Sequence, residues 1–160
     1  MKFTQKDEYT VDVNALFSAI TNADYLQARS EAIGARNISV EVTESDEVIA
    51  AKVVREMPTD APGKLKKFIP SWSKAVQTEQ WKTGGGATIT GAAEVHPDGV
   101  PATIKSTMKI SPSGSGSVME IKTEVKSSIP FIGGALAKFV GETAQKTLAA
   151  EYAYNQKNIQ

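Results

Sequence analysis

The chain has 160 residues, 41% of them apolar and 22% charged, and its 18 basic and 18 acidic side chains cancel to a formal net charge of zero. That length and balance fit one packed domain over residues 1–160 with a core of its own, and zero net charge argues against broad electrostatic capture of nucleic acid. The absence of cysteine excludes disulfides, thiol nucleophiles and cysteine-ligated zinc or iron–sulfur sites.

The opening Met1-Lys2-Phe3-Thr4-Gln5-Lys6-Asp7-Glu8 carries charges where a signal peptide would need an apolar stretch. No later run approaches the ~20 apolar residues of an integral membrane segment, so the expected location is the cytoplasm. Residues 2–10 suit a first strand with Phe3, Asp7 and Tyr9 on one face. Asp12 offers an N-cap to a helix carrying Val13, Leu16, Phe17 and Ile20 at helical spacing. Thr21 or Asn22 restarts a second helix with Tyr25, Leu26, Arg29 and Ile33, and Gly34 stops it because glycine adopts the left-handed cap cheaply. The period then turns to alternation: Ile38, Val40 and Val42, a turn at Ser45-Asp46, and a return strand over 47–57 ended by Met57-Pro58. A connector with one helical turn spans Pro62 to Trp72, and a fourth strand fits 74–82, before Gly84-Gly85-Gly86.

The last three strands alternate most clearly. Ile89, Gly91, Ala93 and Val95 share a face before the turn Pro97-Asp98-Gly99; Ile104, Ser106, Met108 and Ile110 share the next. After the loop 112–116, Met119, Ile121, Thr123, Val125, Ser127 and Ile129 point inward while Glu120, Lys122, Glu124 and Lys126 point out. One dry and one wet face is the pattern of an antiparallel sheet packed on one side. From about Ile132 to Asn158 a helical stripe returns, with Leu136, Phe139, Val140, Thr143, Thr147, Leu148 and Tyr152. At ~1.5 Å per residue this helix is about 40 Å long, enough to cross the sheet. The fold class is α+β: a seven-stranded curved antiparallel sheet, two short helices after strand one, and a long C-terminal helix on the sheet.

Small residues stand on the inward face: Gly91, Ala93, Ser106, Thr123 and Ser127. Interiors pack at a density near ~0.75, so that space must be filled. Either Leu136, Phe139 and the aromatics of the short helices fill it, or the sheet curves away from the helix and leaves a pocket. Composition alone favours filling. Trp81 shares a strand face with Gln77 and Glu79, so an inward indole brings polar groups that need partners.

The order of elements resembles the helix-grip domains of the START and birch-pollen-allergen superfamily (SRPBCC), over nearly the whole chain. More narrowly it resembles a bacterial domain-of-unknown-function family within that group. The segments that carry the likeness are Val13-Asn14-Ala15-Leu16-Phe17-Ser18-Ala19-Ile20, Ala23-Asp24-Tyr25-Leu26, Thr78-Glu79-Gln80-Trp81 and Ile129-Pro130-Phe131-Ile132-Gly133-Gly134. These are packing and turn patterns rather than catalytic motifs. The resemblance implies a cavity between sheet and helix for a small apolar molecule that is lipid, sterol or polyketide-like. It tips the balance from filling to a pocket.

Chemical motifs are sparse. His96, the only histidine, has no partner histidine or cysteine and reads as an exposed turn-flanking residue, so no metal is expected. Gly84-Gly85-Gly86 lacks the Lys-Ser/Thr of a P-loop, and no cofactor is expected. Gly133-Gly134 reads as a tight strand-to-helix junction, and the Ser/Gly run at 113–117 as a hairpin loop without a nucleophile elbow. Glu79 is the one acid–base candidate, and a salt-bridged or solvated glutamate is the plainer reading. The segment Lys64-Leu65-Lys66-Lys67-Phe68-Ile69-Pro70-Ser71-Trp72 reads as a loop tucking Phe68 and Ile69 into the core, as a lid over the cavity, or as a transient contact for a membrane or protein.

The leading expectation is noncatalytic binding or carriage of a small hydrophobic ligand. Ile104, Met108, Ile121, Thr123, Phe139, Val140 and Thr143 would line the site, with Trp81 near it and Phe68 at its mouth. The alternatives are a cavity enzyme of the cyclase or dehydratase type, using Glu79 or a tyrosine as proton shuttle, and a protein–protein interaction module.

Overall fold

The computed structural model describes residues 1–160. The chain runs β1 (Lys2–Tyr9), α1 (Val13–Ile20), α2 (Ala23–Ala32), β2 (Arg36–Glu44), β3 (Val48–Pro58), β4 (Trp72–Lys82), β5 (Ile89–Pro97), β6 (Thr103–Ser113), β7 (Gly116–Lys126) and α3 (Gly133–Asn158), with a single 3-10 turn at Gly63–Leu65. The strands form one curved antiparallel sheet in the order β1-β7-β6-β5-β4-β3-β2. Strands β2 to β7 are a meander, and β1 pairs with the last of them. The chain must therefore travel from one edge of the sheet to the other between β1 and β2, and α1 and α2 make that crossing.

Local chemistry sets the helix starts. The Asp12 carboxylate accepts from the Ala15 amide at 2.8 Å, and the Asn22 side-chain oxygen from the Tyr25 amide at 3.0 Å. Each satisfies an amide that the first helical turn leaves without a partner. Gly34 follows α2 with a left-handed φ of 96°.

Three boundaries differ from the alternation pattern. Strand β4 begins at Trp72, paired with Pro58, where the Arg36 guanidinium lies 3.7 Å from the indole centroid on the outer face. The β6–β7 ladder continues through Pro112 and Ser117 to Ser113 and Gly116, so the hairpin loop shrinks to Gly114-Ser115. Strand β7 stops at Lys126, because Ser127 turns its hydroxyl to the Pro101 carbonyl at 2.7 Å instead of continuing the pairing.

The inward face carries two separate apolar clusters. At one end Leu16, Phe17 and Ile20 of α1 pack on Trp81, Met108, Ile110, Met119 and Ile121. At the other, Leu136, Ala137 and Val140 of α3 pack on Val125, Val100, Ala102, Leu65 and Ile69. A smaller group joins Leu26 of α2 to Ala51 and Val53 of β3. The outer face is wet and laced with cross-strand ion pairs such as Lys6–Glu120 and Lys105–Glu94; exposed pairs of this kind add little stability.

Candidate functional site: a cavity between the sheet and the C-terminal helix

Between the two apolar clusters the inward side chains become small or polar: Ala75 and Gln77 on β4, Ala93 on β5, Ser106 on β6 and Thr123 on β7. Opposite them α3 presents Thr143, Ala144 and Thr147. Helix α3 rests on β7 and β1 at one edge of the sheet and touches α2, and its middle faces β4 to β6 across a space that it does not fill. A cavity of about 190 Å³ remains, with fifteen apolar residues among its twenty-seven lining residues. Ala75, Gln77, Ala93, Val95, Ile104 and Ser106 face inward yet are only half-buried, because the cavity gives solvent a path to them.

The structure brings together Ile104, Met108, Ile121, Thr123, Phe139, Val140 and Thr143 in the cavity wall. Trp81 lies behind the wall rather than in it. It is 1% exposed, packs edge-to-face on Phe17, and lies over Gly91, where an added Cβ would come within 2.6 Å of the indole. Phe68 is half-buried against the α3 N-terminal cluster, and Ile69 takes the lining position beside it. Residues 64–72 thus tuck Leu65 and Ile69 inward and leave Lys64, Lys66 and Lys67 exposed.

Two charged features stand in the wall. The first is Glu79. Its carboxylate accepts from the Gln77 amide at 2.6 Å and from the Trp81 indole N–H at 3.0 Å, so both oxygens are fixed. Residues two apart on a strand share a face, which is why one short run, Gln77 to Trp81, supplies the acid and both its donors.

The second is an ion cluster where α2, β3 and α3 meet. Arg55 donates to the Glu151 carboxylate at 2.8 Å and to the Ser30 hydroxyl at 3.1 Å. Arg29 approaches the other Glu151 oxygen at 3.7 Å, beyond hydrogen-bond distance. All three charged residues are buried and line the cavity, and Arg29 Nε has no hydrogen-bond partner. Burial alone would raise the Glu151 pKa; the charges of Arg29 and Arg55 outweigh it and hold the carboxyl below the usual range.

Around this cluster, Asn155 donates to the Tyr9 hydroxyl at 3.1 Å and accepts from Tyr25 at 2.7 Å. Burial pushes the Tyr9 phenol upward and Tyr25 up to about 12, so both phenols stay protonated at neutral pH. Asp7 is 2% exposed and takes its hydrogen bonds from the Gln5 amide at 2.9 and 3.0 Å. Burial pushes its pKa up to about 6; the Gln5 bonds oppose this, and the charge of Glu151 adds to it.

Residues 4–159 match the family described as protein of unknown function DUF2505. The chain belongs to the DUF2505 family. No curated protein matches its sequence. Solved structures do match its fold. TTHA0849 from Thermus thermophilus superposes with a TM-score of 0.66 at 14% identity, covering 99% of this chain and 97% of that one. The human StarD13 (DLC2) lipid transfer and protein localization domain gives 0.61 at 16% identity, over 99% of this chain and 77% of that one. Ara h 8.0201 gives 0.57 at 16% identity, over 96% of each. This DUF2505 chain therefore has the helix-grip fold of START and birch-pollen-allergen-like proteins. No helix in it is long and apolar enough to cross a membrane.

Sequence reasoning passed over Arg29, Arg55 and Glu151. A signal was present: Arg29 falls on the same helical stripe as Leu26 and Ile33, and Arg55 alternates inward with Ala51 and Val53. A cation on an apolar stripe calls for a partner or a ligand.

Proposed function

We propose that this DUF2505 chain binds and carries a small hydrophobic ligand, without catalysis, in the cavity between the sheet and α3. The observation that carries the reading is the cavity itself, about 190 Å³ of mostly apolar-lined space in the middle of an otherwise packed core. The ligand contacts are proposed for Ile104, Met108, Ile121, Thr123, Phe139, Val140 and Thr143, with Trp81 and Phe68 supporting the wall from behind and beside it. An apolar cavity of ~150 Å³ holds benzene, so this one takes a passenger of about eight non-hydrogen atoms as it stands. A longer lipid-like, sterol or polyketide-like molecule needs the middle of α3 or residues 58–72 to move outward. The lipid transfer named for the StarD13 domain is in keeping with a hydrophobic passenger.

Catalysis in the cavity is the second reading, and Glu79 is the observation that favours it, being buried and in the wall. Two hydrogen bonds to its oxygens hold it as a fixed acceptor, which suits a structural acid better than a proton shuttle. An interaction module draws less support, since Met1 and Phe131 are the only exposed large hydrophobic side chains. Native mass spectrometry of gently purified protein, with organic extraction of released compounds, tests the reading. A stoichiometric apolar passenger, recovered chemically unchanged after incubation, is the expected result. Protein that remains empty and takes up no apolar probe would sink it.

A further inference from the structure

The Arg29–Arg55–Glu151 cluster has one acid too few. Two arginines line the cavity with a single carboxylate between their guanidiniums, and that carboxylate is committed to Arg55 at 2.8 Å. Arg29 is left with a contact of 3.7 Å and a buried Nε that meets no acceptor. Asp7 does not repair this. It takes its bonds from Gln5, it is absent from the cavity wall, and among charges it senses the repulsion of Glu151. Glu79 lies on β4 opposite Ala51, whereas Arg55 lies opposite Ala75, and its oxygens are taken by Gln77 and Trp81.

A buried guanidinium with a free N–H is costly unless an acceptor reaches it. Its fixed donor fork matches a planar oxyanion better than a hydroxyl or a carbonyl. We propose that the cavity ligand is an anionic amphiphile whose carboxylate seats on Arg29 and whose apolar body fills the space toward Ile104, Met108 and Phe139. Arg29 and Arg55 are then matched by Glu151 and the ligand acid. This rests on the ligand-binding reading above and adds its headgroup chemistry.

Hexanoate and octanoate, with the corresponding 1-alkanols and alkylamines, separate the two claims when titrated calorimetrically into delipidated full-length protein near neutral pH, below micelle-forming concentrations. The carboxylates are expected to bind at least about tenfold tighter than the alcohols of equal length, the amines weakest. Arg29→Met is expected to erase the preference for acid over alcohol. The wild-type comparison decides the question even where that variant folds poorly. Alcohols binding as tightly as the acids would overturn the anionic headgroup and leave the carrier reading standing. Silence from all six compounds, in a protein that also yields no passenger on extraction, would overturn both.

Discussion

Asp7→Asn is expected to stabilise the protein at neutral pH, against the usual rule that a buried side chain should be left alone. Asp7 stands on β1 facing inward, 2% exposed, with Gln5 as its only hydrogen-bond donor and the charge of Glu151 nearby. Burial raises its pKa from an ordinary 3.8 to about 6. Between those two values the folded chain holds a proton that the unfolded chain has lost, so stability falls as pH rises across the window. A shift of about two units at ~1.4 kcal/mol each puts the cost of the ionised carboxylate near 3 kcal/mol at most. Asparagine removes the charge and keeps an oxygen for the Gln5 amide, so a gain of about 2 kcal/mol remains after imperfect repacking.

The assay is urea unfolding of both proteins at matched pH. The variant's advantage is expected to be small near about pH 4, to grow through about pH 6, and to level off above about pH 7. Glu151, whose folded pKa is lowered, contributes stability above its unfolded value that is lost as pH falls, but it does so in both proteins. A gap that does not change with pH, or a variant weaker than wild type at neutral pH, would refute the assignment of a charged, unpaired Asp7.

Glu151→Gln leaves Arg29 and Arg55 facing each other without a carboxylate, and is expected to cost roughly 3–5 kcal/mol in urea unfolding at neutral pH. Gly116 and Gly141 both lack room for a Cβ, but for different reasons. At Gly116 the obstacle is the Tyr9 carbonyl, which is backbone, and Gly116→Ala should cost about 3 kcal/mol or more by chemical denaturation. At Gly141 it is the exposed end of Met1, which can swing away, so Gly141→Ala should be neutral or gain up to about 1 kcal/mol from helix propensity. Ala144→Leu adds bulk to the cavity face of α3; circular dichroism should show the fold intact while apolar probe uptake falls at least about tenfold.

The fold was legible because its signals are local. Caps at Asp12 and Asn22 and the alternation from Ile89 to Val125 each depend on residues a few positions apart. The small residues Ala93, Ser106 and Thr123 were equally visible, but whether they mark a void or a tight contact depends on where α3 crosses, which no local pattern encodes. Gly91 illustrates the ambiguity: it is small because the indole of Trp81 lies on it, whereas Ala93, two residues on, borders open space. The ion cluster was hidden for another reason. Arg55 and Glu151 are 96 positions apart, so the β3 alternation marks Arg55 as an inward cation but cannot name its partner until the fold joins them.

That cluster also explains why the cavity stays open. Helix α3 is fixed at both ends by different means. Leu136, Ala137 and Val140 bury its first turns in an apolar cluster. Glu151 and Asn155 lock its last turns through partners of defined geometry on α2, β1 and β3. Hydrogen bonds and ion pairs have short, directional optima, so the helix cannot slide or sink to close the gap without breaking them. Thr143 and Thr147, in the stretch between, bring too little volume to fill it. Were the 190 Å³ wholly dry and apolar, leaving it empty would forgo up to about 5 kcal/mol, a large share of the ~5–15 kcal/mol of a typical domain. The polar lining reduces that figure without cancelling it. A passenger that fills the cavity would recover much of this, so ligand affinity and fold stability should rise together, read as a Tm that climbs with probe concentration. The middle of α3 should also gain protection from amide exchange when the probe is bound. A probe that binds without moving either observable would place its site outside the cavity.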